Sequence, residues 1–182
     1  AVLLTHAHFD HAGGLADVQR EFPGAATYLP ALERELFEML PRQGSMLFGM
    51  ADFDRPCGRI DRFIEDGDTV EVGEWRFRFL STPGHTPGQG CYYDDKYVFS
   101  GDTLFAGSIG RTDFPLSDPE LMWNSLRRLM ALPGHLIVCS GHGPTTTLDE
   151  ELRGNPFLDY LRRERGMPSF GFDMAPGGPR WG

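Results

Sequence analysis

The sequence predicts a single mixed α/β domain. Three observations point there: short apolar runs recur along the chain, stretches with helical patterning lie between them, and several runs end in glycine-rich loops. At 182 residues, the chain is long enough to bury a real core as one unit.

Taken in order, residues 1–4 form the first apolar run and read as a strand, followed by a helix over 15–22 and a strand over 27–29. A helix is expected over 31–40. Residues 41–56 hold little periodicity and read as a loop over the site or the surface. Strands follow at 75–80, 90–93, 96–99 and 136–139. The clearest alternation is Trp75-Arg76-Phe77-Arg78-Phe79, which puts the aromatics on one face and the arginines on the other, so the sheet should have a buried face and a wetter one. The helix over 119–131 has Asp118 placed as N-cap and Pro119 at its first position. Asn155-Pro156 repeats that arrangement before a helix over 156–165. Residues 166–182 are rich in Gly and Pro and read as a loose tail.

Hydrophobic residues at 40% and charged residues at 24% are the balance of a soluble globular protein. No apolar run approaches the ~20 residues that a membrane-spanning helix needs. Ala1-Val2-Leu3-Leu4-Thr5 lacks the basic flank of a signal peptide, although a start without Met leaves room for a targeting segment upstream. Seventeen Lys and Arg against 26 Asp and Glu give a net charge of -9, which disfavours nucleic acid as a partner. Cys57, Cys91 and Cys139 are odd in number and fit no zinc-ribbon spacing. Cys91 and Cys139 lie in strand-like runs and are expected to be buried free thiols, which fits a reducing, cytoplasmic setting.

The chemistry concentrates in Thr5-His6-Ala7-His8-Phe9-Asp10-His11, which leaves the first strand. Alternation along an extended backbone points His6 and His8 the same way, so both can grip one metal ion. Asp10 and His11 are adjacent and diverge, which suits a second ion beside the first. Ala12-Gly13-Gly14 then lets the backbone turn into the next helix with no side chain in the way. Imidazole and carboxylate donors suit zinc, with iron and manganese as alternatives. Surface histidines or remnants of a purification tag are the plain alternative. The density of donors over residues 6–11, at a strand exit, makes it a poor one.

Two more histidines leave strands in similar loops. His85 stands in Ser81-Thr82-Pro83-Gly84-His85-Thr86-Pro87-Gly88, pinned between Pro-containing turns, and His142 stands in Ser140-Gly141-His142-Gly143-Pro144. Each alone would read as a turn residue. His135, in Leu132-Pro133-Gly134-His135-Leu136, is such a turn residue and stays outside the site. Asp102 in Phe99-Ser100-Gly101-Asp102-Thr103 also follows a strand and is the expected bridging carboxylate.

In order, His6-x-His8-x-Asp10-His11, Pro83-Gly84-His85-Thr86-Pro87-Gly88, Gly101-Asp102 and Gly141-His142-Gly143-Pro144 resemble the metallo-β-lactamase superfamily. Within it, Gly107-Ser108-Ile109-Gly110-Arg111-Thr112-Asp113-Phe114-Pro115, Gly141-His142-Gly143-Pro144-Thr145-Thr146 and Asn155-Pro156-Phe157 resemble the compact, bacterial type of glyoxalase II. The resemblance spans residues 1–158. It implies an αββα sandwich over residues 1–165 whose N-terminal sheet lacks its first strands, leaving a sheet edge and a core face uncovered. It also implies two zinc ions per chain, His6, His8 and His85 holding the first and Asp10, His11 and His142 the second, with Asp102 between them. Asp10 is expected to be catalytic as well as a ligand.

The implied reaction is hydrolysis of a small-molecule thioester, S-lactoylglutathione or a similar acyl-glutathione, by a monomer or weak homo-oligomer that needs neither nucleic acid nor membrane. Arg111 matches a basic substrate-binding position. However, Asp113 stands where those enzymes have Tyr, and a loop salt bridge between the two is the alternative. Larger glyoxalase II enzymes carry a C-terminal helical domain that helps hold glutathione, whereas only a short tail follows Phe157 here. The enzymatic rival is a persulfide dioxygenase with a single iron on His6, His85 and Asp102. The non-enzymatic one is an inactive binding fragment.

Overall fold

A computed structural model describes residues 1–49 and 57–163. The expected tail (166–182), the last residues of the expected final helix and the later part of the expected 41–56 loop lie outside the described residues.

The first sheet is parallel: β1 (Val2–Leu3) pairs β2 (Thr27–Pro30), which pairs β3 (Arg62–Ile64). Parallel neighbours require crossovers, and helices supply them. The β1-to-β2 crossover holds α1 (Phe9–Ala12) and α2 (Leu15–Glu21). The next one opens with a 3₁₀ turn at Ala31–Glu33, followed by α3 (Arg34–Glu38) and α4 (Leu40–Phe48). The second sheet is built from β4 (Thr69–Val72), β5 (Trp75–Ser81), β6 (Gly90–Tyr93) and β7 (Tyr97–Gly101). A small hairpin, β8 (Leu104–Phe105) with β9 (Ser108–Ile109), leads to α5 (Pro119–Met130), then β10 (Ile137–Ser140), β11 (Thr146–Thr147), α6 (Leu148–Gly154) and α7 (Pro156–Arg163). The order across this sheet is β11-β10-β7-β6-β5-β4, with β7 and β10 parallel across the α5 crossover and the other pairs antiparallel.

The layers follow from where the apolar side chains meet. Leu4, Ala12, Leu15, Leu29, Leu36 and Leu40 join the first sheet to its helices. Ile64, Val70, Phe79 and Tyr92, with Leu3 and Tyr28, join sheet to sheet. Val98, Met122, Leu126, Val138 and Leu158 join the second sheet to α5–α7. The result is the expected helix–sheet–sheet–helix stack. Among the described residues no helix is long and apolar enough to cross a membrane.

Several expectations change on contact with the structure. The start of the expected 41–56 loop is helical, because Pro41 falls in the first turn of α4, where a missing N–H costs nothing. The expected helix over 31–40 is broken into a 3₁₀ turn and α3. α6 was not anticipated, although Thr147 and Glu150 form a complete capping box at its start. Short, charged β3 and β4 were also missed. On β5 the aromatic face is buried only at one end: Phe79 is 2% exposed, whereas Trp75 is 53% exposed and stacks on Phe77. A cavity of about 380 Å³ lies between the sheets near there, lined in part by Leu3, Thr5, Phe77, Tyr92 and Phe99. Cys91 is buried as expected, but Cys139 is only half-buried and lines that cavity.

The two anticipated caps are present. Asp118 accepts from the backbone N–H groups of Glu120 and Leu121. Asn155 Oδ1 accepts from the N–H of Phe157, while its Nδ2 donates to Glu151 and to the Ser108 carbonyl, tying α7 to the β8–β9 hairpin. Leu126, fully buried at the centre of α5, is the plainest probe of this core. Leu126→Ala should lower stability by about 2–5 kcal/mol. Urea titration would show this as a lower midpoint with an unchanged slope.

Candidate metal centre

The strand ends of both sheets converge on one rim, and the predicted donors meet there. β1 stops at Leu3, but the backbone stays in register for one more bond, Leu4 N–H to the Tyr28 carbonyl at 3.0 Å. The His-rich arm then reaches His8, whose backbone is extended and which stands at the N-terminus of α1. His6 and His8 do turn to the same side, with ring centroids 5.0 Å apart. Asp10 and His11 lie in the helical turn of α1.

The His85 loop is fastened along its length. Ser125 Oγ donates to the Pro83 carbonyl, Asp118 N–H to Gly84 and Ser117 Oγ to His85. Gly84 has φ 137°, and a Cβ there would stand 2.5 Å from Met122 Cα, so the loop lies directly on α5. His85 Nδ1 lies 2.8 Å from the Arg111 carbonyl, an acceptor only, which makes Nδ1 the donor and leaves the Nε2 lone pair facing the cluster.

Asp102 follows β7 and His142 follows the neighbouring parallel strand β10, so adjacent strand ends deliver both. Gly141 lies between them and the arm. A Cβ on it would come within 2.3 Å of Asp102 Oδ1 and 2.6 Å of His11 Cε1.

The donor atoms fall into overlapping groups, each within 4.8 Å: His6, His8 and His85; Asp10, His11 and His142; and His6, His11 and Asp102. Asp102 is the common neighbour, 3.4 Å from His11 Nε2, 3.5 Å from His85 Nε2 and 3.6 Å from His142 Nε2. His8 Nδ1 and His85 Nε2 are 2.8 Å apart, and His142 Nε2 is 3.2 Å from Asp10 Oδ2. His6 Nε2 and Asp102 Oδ1 are buried, and neither has a hydrogen-bond partner among the described residues. A buried donor set of this kind fits a cation, which would satisfy both atoms at once.

All seven predicted ligand residues are thus brought together, and His135 lies apart, against the Asp95 carbonyl. Arg111 forms the loop salt bridge with Asp113 that was its alternative reading. Its guanidinium makes two hydrogen bonds to Asp113, at 2.6 and 2.7 Å, and lies over the Phe114 ring. Phe114 in turn stands edge-on to His8, with centroids 5.5 Å apart.

Sequence reasoning missed Gln89, Glu33 and Gln43. Gln89, fully buried, accepts from the Asp102 N–H and donates to Thr103. Its place one residue past the Pro87-Gly88 turn was the only signal it gave.

A sequence profile of the metallo-beta-lactamase superfamily matches residues 1–142. The chain belongs to that superfamily. It is 38% identical over 162 residues to hydroxyacylglutathione hydrolase GloC of Haemophilus influenzae, a match covering 87% of this chain and 75% of that one. Among solved structures, TTHA1623 in a di-iron-bound form shares 42% identity with a TM-score of 0.76, covering 87% of this chain and 77% of that one. The BLEG-1 B3 metallo-beta-lactamase shares 40% identity with a TM-score of 0.78, covering 87% and 76%. The superfamily is one of metal-binding hydrolases, in keeping with the His and Asp clusters here.

Burial, and then the rings of His11, His85, His8 and His142, hold His6 well below its ordinary value. Burial and His85 bring His8 down to about 4, and burial also lowers His85. Burial opposes ionisation of Asp102, yet the nearby His11, His85 and His142 rings pull it below the usual range. His11 goes the other way: burial works against its charge, but Asp102 and then Asp10 raise it.

Lowered histidines favour folding above their ordinary value of 6.5, and that contribution is lost as pH falls towards the folded values. The chain stripped of metal should therefore lose thermal stability as pH drops from about 6.5 to about 4, with His11 offsetting only part of the loss. A flat melting temperature across that window would show that these rings are not buried together.

Proposed function

We propose that this chain is a binuclear metal-dependent hydrolase of a glutathione thioester, with S-lactoylglutathione as the leading substrate. The observation that carries it is the convergence of two three-residue donor sets on one buried carboxylate, Asp102. In this reading His6, His8 and His85 hold one ion, Asp10, His11 and His142 the other, and Asp102 serves both. Zinc is the ion of choice, and the di-iron-bound relative supports iron as the alternative. A metal pair so held supplies an acidified water and Lewis-acid polarisation of the carbonyl.

The protein's own groups set what that chemistry acts on. His6 and Asp102 keep one side of the site dry, whereas Asp10 and His142 stand on the open side, with side chains 42% and 55% exposed. The substrate carbonyl approaches from that side, where the Asp10 carboxylate accepts a hydrogen bond from the attacking water. Phe114 gives the His8 and His85 rings an apolar wall. The departing thiol ionises near pH ~8.5 and needs no general acid.

Support for the thioester comes from GloC, whose name states that activity. The B3 metallo-beta-lactamase relative supports a second reading, hydrolysis of a lactam at the same carbonyl-attack site. Parallel assays on S-lactoylglutathione, a β-lactam and glutathione persulfide separate these. Thiol release from the thioester is expected. Oxygen uptake with the persulfide, and no thiol release from any thioester, would overturn the assignment in favour of a dioxygenase.

Asp102→Ala should bind neither ion tightly and lose most activity, because it removes a donor shared by both sets. Elemental analysis should find two metals per chain in the natural protein and fewer than one in the variant. Retention of both metals with near-normal turnover would reduce Asp102 to a turn residue.

Arg111 is proposed to pair with a substrate carboxylate by exchanging its exposed partner Asp113, since surface pairs of this kind are worth about 0–1 kcal/mol. Arg111→Ala should raise KM by about 3- to 10-fold with kcat little changed, and Asp113→Asn should lower KM. Unchanged KM in both would confine Arg111 to its loop.

A further inference from the structure

Beyond Thr5, the His-rich arm has lost its strand partners, yet it carries two donors that must be placed to a fraction of an ångström. The last ladder-like bonds run from Leu4 N–H to the Tyr28 carbonyl and from Gly90 N–H to the Thr5 carbonyl. After that, two side chains from the helical crossover between β2 and β3 take over. Glu33, fully buried, accepts at Oε2 from the Ala7 N–H at 2.7 Å and at Oε1 from the Gly88 N–H at 2.6 Å. Ala7 lies between His6 and His8, and Gly88 closes the loop that carries His85. One carboxylate thus ties both segments of the His6–His8–His85 set. Gln43, 6% exposed, holds the other edge of the arm. Its Nε2 donates to the Ala7 carbonyl at 3.0 Å and to the Leu36 carbonyl at 2.9 Å, while its Oε1 accepts from the Phe9 N–H at 3.1 Å.

We infer that Glu33 and Gln43 form a positioning clamp that fixes the His6–His8–His85 donor set and thereby sets the affinity of that ion, a role that rests on the metal reading of the site. Neither residue is a ligand. The chemistry of each is specific to its place. Both Glu33 oxygens must accept, so an amide there turns an NH₂ donor against a backbone N–H. Gln43 must donate on one side and accept on the other, so a carboxylate there turns an acceptor against two carbonyls. Leaving such buried groups mispaired is costly, and the arm can relieve the mismatch only by moving. The second set is anchored otherwise: Asp10 and His11 by the α1 turn, and His142 by β10 and the Ser140 hydroxyl, which donates to the His142 carbonyl. Glu33 therefore acts on the first ion alone, whereas Gln43, through the Phe9 N–H at the start of α1, acts on the first ion most and on the second to a lesser degree.

The test is stepwise zinc titration of the natural chain, Glu33→Gln and Gln43→Glu, with a competing chromophoric chelator for the constants. Ring resonances of each histidine report which set fills. In both variants the ion reported by His6, His8 and His85 should bind about 10- to 100-fold more weakly; the ion reported by His11 and His142 should change less than about twofold in Glu33→Gln, and less than the first ion in Gln43→Glu. Gln43→Glu also excludes a simple charge effect, because an added negative charge would tighten cation binding, whereas a broken clamp loosens it. It carries the test alone should Glu33→Gln fail to fold. If the natural chain binds two ions and neither constant shifts in the variants, or both shift equally, the clamp is wrong and the metal reading stands. If the natural chain takes up no cation at these rings, the metal reading fails and the clamp with it.

Discussion

Five imidazoles and two carboxylates turn their donor atoms toward one another at the rim of two sheets, and the rest of the structure exists to keep them there. Such a set is unfavourable by itself. The rings cannot all be protonated, because burial and mutual repulsion hold His6, His8 and His85 low, and they cannot all hydrogen-bond, because His6 Nε2 and Asp102 Oδ1 have no partner among the described residues. Strand ends are suited to this task. Each delivers a side chain at a fixed height, and hydrogen bonding behind the rim supplies the rigidity that the donors cannot give one another.

The second sheet shows how that rigidity is transmitted. β7 and β10 lie side by side, so the carboxylate after one and the imidazole after the other are placed by a single ladder. The His85 loop is instead bonded to the start of α5, where Asp118 caps the helix with its side chain and holds the Gly84 carbonyl with its backbone. Packing of α5 in the core and the position of a predicted ligand are therefore one problem. The apolar cluster under α5 supplies the energy, and the hydrogen bonds direct it.

What was legible in the sequence divides along the same line. The donors could be read because imidazoles spaced at strand exits have few other uses, and because Gly and Pro beside them mark the turns. The long strands and the capped helices were legible for similar local reasons. Glu33, Gln43 and Gln89 were not, since each sits in ordinary helical or loop sequence and meets its partners up to 55 residues away. α4 was hidden by Pro41 and Gly44, residues that read as loop until the first is placed at a helix start. The exposed Trp75 end of β5 shows the opposite failure. Alternation identified the face correctly but could not say how far along the strand the cover extends.

His11 and His142 have ring nitrogens 3.2 Å apart although 131 residues separate them. Loops of that span close late, after local helices and hairpins have formed, because the entropy of joining distant segments must be met by contacts already in place. The rim draws on distant segments of both sheets, so it is complete only in the folded chain. A ligand that touches both rings recognises the finished chain alone, so its binding free energy adds to the stability of every layer at once.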